Sequence, residues 1–382
     1  VKILAVGSHC LTEPNKQSQV DHWRIGRPMF ELAKHVDWHI DHSPTFIPGF
    51  AALDNPDQFT PKEMQVAFDA ITQYDIVFSS YHPDPTAYTL LKVARDRAGT
   101  QFVMDSDDDM FAINPDNPFW LKITDEQVYQ MQRMIADNDW ITTPSEVLAE
   151  RYRQRRANHP PESVIVIPNY LPDVYQHPKV DNGDTIVIGY MGGASHYADL
   201  HESGVLPAIE ILMHKYKNIH FKSVGMIVDH YIPKQRFTHE GGKRGTDFLT
   251  EVFPTLNFDI AIAPLLDNLF NQGKSNIKWQ EMTRAGAAFV CSDMPPYSGV
   301  IDGVHGLKVK NTVEEWQAAL EKLIINTKLR RILVENAQRE LLYNWRLETH
   351  WQQYKVLFEK VKRGIAHANN TTSPQAAILQ TR

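Results

Sequence analysis

Short unbroken apolar runs rich in Val and Ile recur along the chain, separated by longer stretches whose apolar positions repeat every three or four residues. A run without polar alternation reads as a strand buried on both faces; the longer stretches read as amphipathic helices. The first set of runs is Lys2–Val6, Val36–Asp41, Asp75–Ser79, Gln101–Asp105, Asp139–Thr143 and Val164–Ile167. A second set follows at Ile186–Tyr190, Ile219–Val224, Phe258–Ala263, Ala287–Ser292 and Gly306–Val309. Helices are predicted at Pro85–Arg97, Asp125–Ala136, Gly204–Tyr216 and Val313–Ile325. Strand–helix alternation over this length implies α/β architecture with parallel sheets covered by helices. The periodicity lapses over Pro168–Asp184, where Pro, Asn and a Gly-Asp pair mark an interdomain linker.

The expected plan is therefore two Rossmann-like domains facing a cleft. Residues 1–170 form the first, 171–184 the linker and 185–342 the second. A last amphipathic helix over 343–363 offers Trp345, Trp351, Tyr354 and Phe358 for packing and should cross back to the first domain. The tail 364–382 has no core-forming pattern and is expected to be loose.

Composition removes several alternatives. The chain has 382 residues, 42% of them apolar and 22% charged, which excludes general disorder and suits two domains with cores of their own. Only two Cys occur, far apart, so a disulfide scaffold is excluded and a reducing compartment is expected. No stretch approaches the roughly 18 apolar residues of a membrane span. The apolar start lacks the marks of a signal peptide, so a soluble cytoplasmic protein is expected. A net charge of −7 speaks against a generally basic nucleic-acid binder, although Arg151-Tyr-Arg-Gln-Arg-Arg156 and Lys243-Arg244 supply local positive charge. The 17 His show no paired metal-ligand spacing, and no G-x-S-x-G elbow is present.

Three stretches carry candidate chemistry. In Asn271-Gln-Gly-Lys-Ser-Asn-Ile-Lys-Trp-Gln-Glu281, a helix starting near Ser275 would put Lys274, Lys278 and Glu281 on one face. Helix-start N–H groups and two ammonium groups make a diphosphate site, and Glu281 could accept hydrogen bonds from a ribose diol. The bland reading is a solvated helix face with an internal Lys-Glu pair; a true P-loop is disfavoured, because Asn268 stands where its first Gly belongs. In Val103-Met-Asp-Ser-Asp-Asp-Asp-Met-Phe111, four carboxylates crowd a strand end, where they could bind hydroxyls, hold a cation, supply a base or merely cap a turn. In Gly189-Tyr-Met-Gly-Gly-Ala-Ser-His-Tyr-Ala-Asp199, Gly192 and Gly193 allow close backbone approach, with Ser195 and His196 in reach of a phosphate or sugar; the alternative is a simple strand-to-helix turn. A long polar loop, Gly7–Asp21, precedes Trp23-Arg-Ile-Gly-Arg-Pro28, in which Arg24 is an acceptor-side candidate.

Taken in order, these segments resemble the GT-B glycosyltransferases, closest to the family-4-like retaining group and its bacterial and viral members with Asp-Asp-Asp and Gly-Lys-Ser motifs. The matching pieces are Trp23-Arg24-Ile25 with Pro28, Asp107 to Phe111 with Asn117-Pro118, and Ile167-Pro-Asn169. They continue with Gly189 to Leu200 and Gly273 to Gly286 with Cys291-Ser-Asp293. The resemblance implies transfer of a sugar from a nucleotide-diphosphate sugar to a hydroxyl on a glycan, lipid-linked or other acceptor, with retention and no required cofactor or metal. Glu281 matches the second Glu of the family's Glu-x7-Glu motif, which holds the ribose; Gly273 occupies the place of the first. The usual Arg and Lys of the diphosphate grip are absent from Met191–Leu200, which leaves Lys274 and Lys278 as substitutes. Donor binding is thus expected at Gly192, Gly193, Ser195, His196, Lys274, Ser275, Lys278 and Glu281, and chemistry at Asp107, Asp108 or Asp109, with Asp108 first. A transferase acting on modified DNA bases and an inactive nucleotide- or glycan-binding relic of the fold remain as alternatives.

Overall fold

Apolar runs buried on both faces require a covering layer on each side, and this chain supplies it twice. The computed structural model describes residues 1–7, 22–43, 60–80, 85–113, 124–175, 177, 181–226, 228, 232–243 and 248–371. The loop expected over Gly7–Asp21 lies beyond Gly7 outside the described residues, as do Asn117-Pro118, Arg244 and 372–382.

The first sheet contains β1 (Lys2–Val6), β2 (His39–Ser43), β3 (Ile76–Ser80), β4 (Gln101–Asp105), β5 (Trp140–Thr143) and β6 (Val164–Val166), all parallel, in the order β2-β1-β3-β4-β5-β6. The second contains β7 (Ile186–Met191), β8 (Ile219–Gly225), β9 (Phe237–Gly241), β10 (Ile260–Ala263), β11 (Ala288–Ser292) and β12 (Leu307–Val309), again all parallel. Its order, β12-β11-β10-β7-β8-β9, is the doubly wound Rossmann order, reversing between β7 and β10. Helices cover both faces of each sheet; α1 (Arg27–Ala33), α2 (Pro61–Ile71), α3 (Pro85–Ala98), α4 (Asp125–Asp137) and α5 (Glu146–Arg155) accompany the first. Capping boxes at Thr60–Glu63 and Thr124–Gln127 start α2 and α4 by satisfying the free N–H groups of their first turns.

Three expectations are corrected. The second strand begins at His39, not Val36, because α1 caps at Lys34 and the chain turns through Val36; Val36 and Trp38 pack on the core from outside the sheet. Strand β9 carried no apolar run: Phe-Thr-His-Glu-Gly is a half-buried edge strand that, among the described residues, pairs only with β8. The last helix does not begin at 343. The helix Thr327–Asn344 contains Tyr343, and Trp345 then leaves helical geometry to pair with the linker, Leu171 N–H to Trp345 O at 2.8 Å and Leu347 N–H to Leu171 O at 3.2 Å. The final helix is Gln352–Thr371, so the stretch from Gly364 to Thr371, expected to be loose, is helical.

That final helix crosses back as expected. Tyr354, Leu357, Phe358 and Val361 are buried in the core of the first sheet with Ile3, Ile25, Phe78 and Val103. Two further residues cross the seam. Trp23 belongs to the second sheet's core, beside Tyr175 and Phe248, and Phe270 belongs to the first sheet's core, beside Leu148 and Met110.

Candidate functional site

Ligands of open parallel sheets bind outside the C-terminal strand ends where strand order reverses. In the second sheet that place lies beyond Met191 of β7 and Ala263 of β10. The C-terminal end of β4, continuing into Asp105–Asp109, faces it from the first sheet. Between them is a cavity of about 560 Å³ whose lining includes Trp23, Arg24, Asp107, Asp108, Asn169, Gly192, Gly193, Ser195, His196, Lys274, Ser275, Lys278 and Glu281.

The second domain builds its side from two turns. After β7, Gly192 is forced by its neighbours: a Cβ there would lie 2.3 Å from Tyr190 Oη. Beside it Gly225, at φ +89°, ends β8 with its Cα so close that a Cβ would sit 2.6 Å from Gly192 O. Gly193 is open on the cavity side. His196 then starts the helix Tyr197–Glu202, and its Nδ1 lies 2.8 Å from Asp199 Oδ2. Burial, then the nearby Lys278, pushes His196 down to about 4, so at neutral pH it is uncharged. Burial works against the Asp199 carboxylate, but its hydrogen bonds with His196, Leu266 N–H and Asn271 outweigh that and hold it below the usual range. An ionised Asp199 makes His196 Nδ1 the N–H donor and leaves Nε2 as an acceptor.

After β10 the chain forms the short helix Leu269–Gln272 and then the helix Ile277–Arg284. The second starts at Ile277 rather than near Ser275, so Lys274 and Ser275 stand in the turn before it while Lys278 and Glu281 share its face. Lys278 Nζ donates to Met191 O at 2.8 Å. Burial pushes this ammonium down to about 8, against the attraction of Glu281. Burial likewise pushes Glu281 up to about 7, opposed by Lys278 and by the neighbouring Trp23. Lys274 Nζ lies 3.0 Å from Asp108 Oδ1 and 4.3 Å from the Phe270 ring centroid.

On the first domain the acidic residues separate into distinct roles. Asp105 is fully buried and accepts two hydrogen bonds from Arg24 Nε, at 3.2 and 3.0 Å, and one from Nη2 at 2.7 Å. Arg24 Nη1 donates to Ile167 O and, at 3.0 Å, to Asn169 Oδ1. Its guanidinium is 1% exposed, so Arg24 meets the second domain through Asn169, whose Nδ2 donates to Ser275 Oγ at 2.8 Å. Asp109 is turned away from the cavity, pairing with Arg151 at 3.2 Å and accepting from Phe111 N–H. Asp107 is the exception: its Oδ1 is buried and has no hydrogen-bond partner. Burial, then Asp108 and Asp105, pushes its carboxyl up to about 8, so it is protonated at neutral pH. Among the described residues no three His, Cys, Asp or Glu side chains are grouped as metal ligands.

The arginines that could supply local positive charge are held by partners within the protein, Arg151 across the domain seam. Arg151 binds Asp109, Leu269 O and Gln272; Arg153 binds Glu146; Arg155 lies over Phe111; Arg156 donates to Ile135 O and Asn138 O. The cavity thus gathers every donor-side residue singled out from sequence, with Asp107 and Asp108 but not Asp109. Sequence reasoning did not assign Trp23, Asn169, Asp199, Gly225 or Phe248 to the site. Asp199, one helical turn after His196, carried a readable spacing; the others converge only through the fold.

No family model matches the chain. A segment of 81 residues is 38% identical to an uncharacterized glycosyltransferase of Methanocaldococcus jannaschii, a match that spans 20% of each chain. Among solved structures, sucrose-phosphate synthase from Thermosynechococcus elongatus is similar over 95% of this chain and 99% of its own, with TM-score 0.65 and 12% identity. HepE of Anabaena, solved in complex with UDP-glucose, is similar over 94% of this chain and 99% of its own, at TM-score 0.62 and 14% identity. A glycosyltransferase from Rickettsia africae gives TM-score 0.63 at 13% identity, over 94% and 98%. At such identities the likeness is one of architecture: the chain has the two-domain GT-B fold.

Proposed function

We propose that the protein is a glycosyltransferase that moves a hexose from a nucleoside-diphosphate sugar to an acceptor hydroxyl with retention of configuration. The observation that carries this reading is the convergence, at the switch point of a Rossmann-ordered sheet, of a glycine-built turn, two ammonium groups and a buried carboxyl group on one cavity. The solved complexes of HepE with UDP and UDP-glucose make UDP-glucose the first donor to try.

In this reading the diphosphate lies against Gly192, Gly193 and Ser195, between Lys274 and Lys278, with Ser275 and the start of the following helix beside it. Glu281 accepts the ribose hydroxyls. As the sugar–phosphate bond breaks, negative charge grows on the leaving diphosphate, and the ammonium groups and backbone N–H groups stabilise it without reorganising. His196, uncharged, offers Nε2 as an acceptor to a sugar hydroxyl. The acceptor approaches from the first domain. There Asp107, protonated, donates a hydrogen bond to the transferred sugar or its leaving oxygen, replacing Asp108 as the first choice for that role.

Transfer from a labelled nucleotide-sugar panel to simple sugar acceptors tests the reading with two variants. Lys274→Ala should slow transfer by on the order of a hundredfold, as when one charge-stabilising donor is lost. Glu281→Ala should weaken donor affinity and leave turnover nearly unchanged, because a ribose contact is similar in ground and transition states. Nucleotide binding without transfer to any acceptor or to water would leave the inactive binding relic instead.

A further inference from the structure

Lys274, one of the two ammonium groups proposed to grip the donor, is held by the opposite domain. Asp108 takes Lys274 at 3.0 Å. The turn that carries Lys274 is docked on the first domain as well: Ser145 Oγ donates to Gly273 O at 2.6 Å, and Asn169 reaches Ser275. We propose that Asp108 is a positioning residue that clasps Lys274 before the donor arrives, and that an incoming nucleoside diphosphate displaces this contact, so that donor binding and release of the clasp are one event.

This rests on the donor site proposed above. The Lys274–Asp108 pair is suited to exchange, since its side chains are 14% and 23% exposed and such partly solvated pairs are individually weak. A diphosphate offers Lys274 more charge and more acceptor oxygens than one carboxylate. Once Lys274 turns to it, Asp108 is left in the cleft without its cation, ready to accept from an acceptor hydroxyl.

The test is Asp108→Asn in the full chain, read by calorimetric titration with UDP, GDP, ADP and dTDP. Removing the clasp should tighten the preferred nucleotide by about two- to fivefold. The same substitution in a Lys274→Ala background should have no effect, whereas simple removal of a repelling charge would tighten binding in both backgrounds. Unchanged or weaker binding in the single variant, or equal tightening in the two backgrounds, overturns the proposal. Hydrogen exchange of residues 269–275 without nucleotide separates it from the donor reading. If the wild type binds none of the four nucleotides, the donor reading falls and the displacement with it. The clasp itself stands if Asp108→Asn speeds that exchange and falls if it does not.

Discussion

Replacing Asp107 with Asn probes the charge state of the cleft without any substrate. Asn keeps the size of the side chain and its neutrality, so the variant mimics the protonated acid at every pH. In the folded protein, burial, then Asp108 and Asp105, raises the carboxyl to about 8, whereas in the unfolded chain it returns to about 3.9. Between these values the folded state holds a proton that the unfolded chain has released. The stability this contributes is therefore fully present below about pH 4 and is lost as pH rises through about 8. One proton's difference corresponds to a slope of about 1.4 kcal/mol per pH unit. Glu281 slopes the same way and His196 the opposite way, so the informative quantity is wild type minus variant. From about pH 5 to 7 that difference should move against the wild type by about 2–3 kcal/mol. Urea midpoints measured across pH give it, and infrared spectra at neutral pH should show a protonated-carboxyl stretch that Asp107→Asn removes. A flat difference with no such band would mean that Asp107 is ionised in the cleft, and its hydrogen-bond-donor role would be lost.

Arg24→Ala leaves Asp105 buried without its cation and should cost about 3–5 kcal/mol in denaturation experiments; a loss below about 1 kcal/mol would contradict the buried pair. Gly225→Ala, at φ +89° and with its new Cβ 2.6 Å from Gly192 O, should cost about 1–3 kcal/mol and disturb the Gly192 turn. Urea denaturation checks the first effect and nucleotide titration of the variant the second. Because burial lowers Lys278 to about 8, its charge is present below that pH and lost above it. Nucleoside-diphosphate affinity should therefore fall as pH rises through about 8, and equal affinities on the two sides would remove Lys278 from the grip.

Most of the sheet architecture was legible because strands buried on both faces leave continuous apolar runs that need no partner to be recognised. Edge strand β9 was not, since its alternating Thr and Glu reflect a position with one neighbour. The start of the last helix was misplaced because Trp345 and Tyr354 look alike in a periodic pattern; only the pairing of Trp345 with Leu171 shows where the chain crosses. At the site, Lys274, Lys278 and Glu281 were legible from spacing within one turn and helix. Which Asp of the run carries the proton was not, because burial and the Lys274–Asp108 and Arg151–Asp109 pairs join residues 166 and 42 positions apart. Arg24 was visible as a charge, but its role depends on Asp105, 81 residues away.

The most direct measurement of the donor site is calorimetric titration of wild type and Lys274→Ala with UDP, GDP, ADP and dTDP. The wild type should bind at least one of them saturably, and Lys274→Ala should bind it about tenfold or more weakly, the loss expected for one charged hydrogen bond to phosphate. A wild type that binds none, or a Lys274→Ala variant that binds as tightly, would contradict the placement of a nucleotide-sugar site in this cleft.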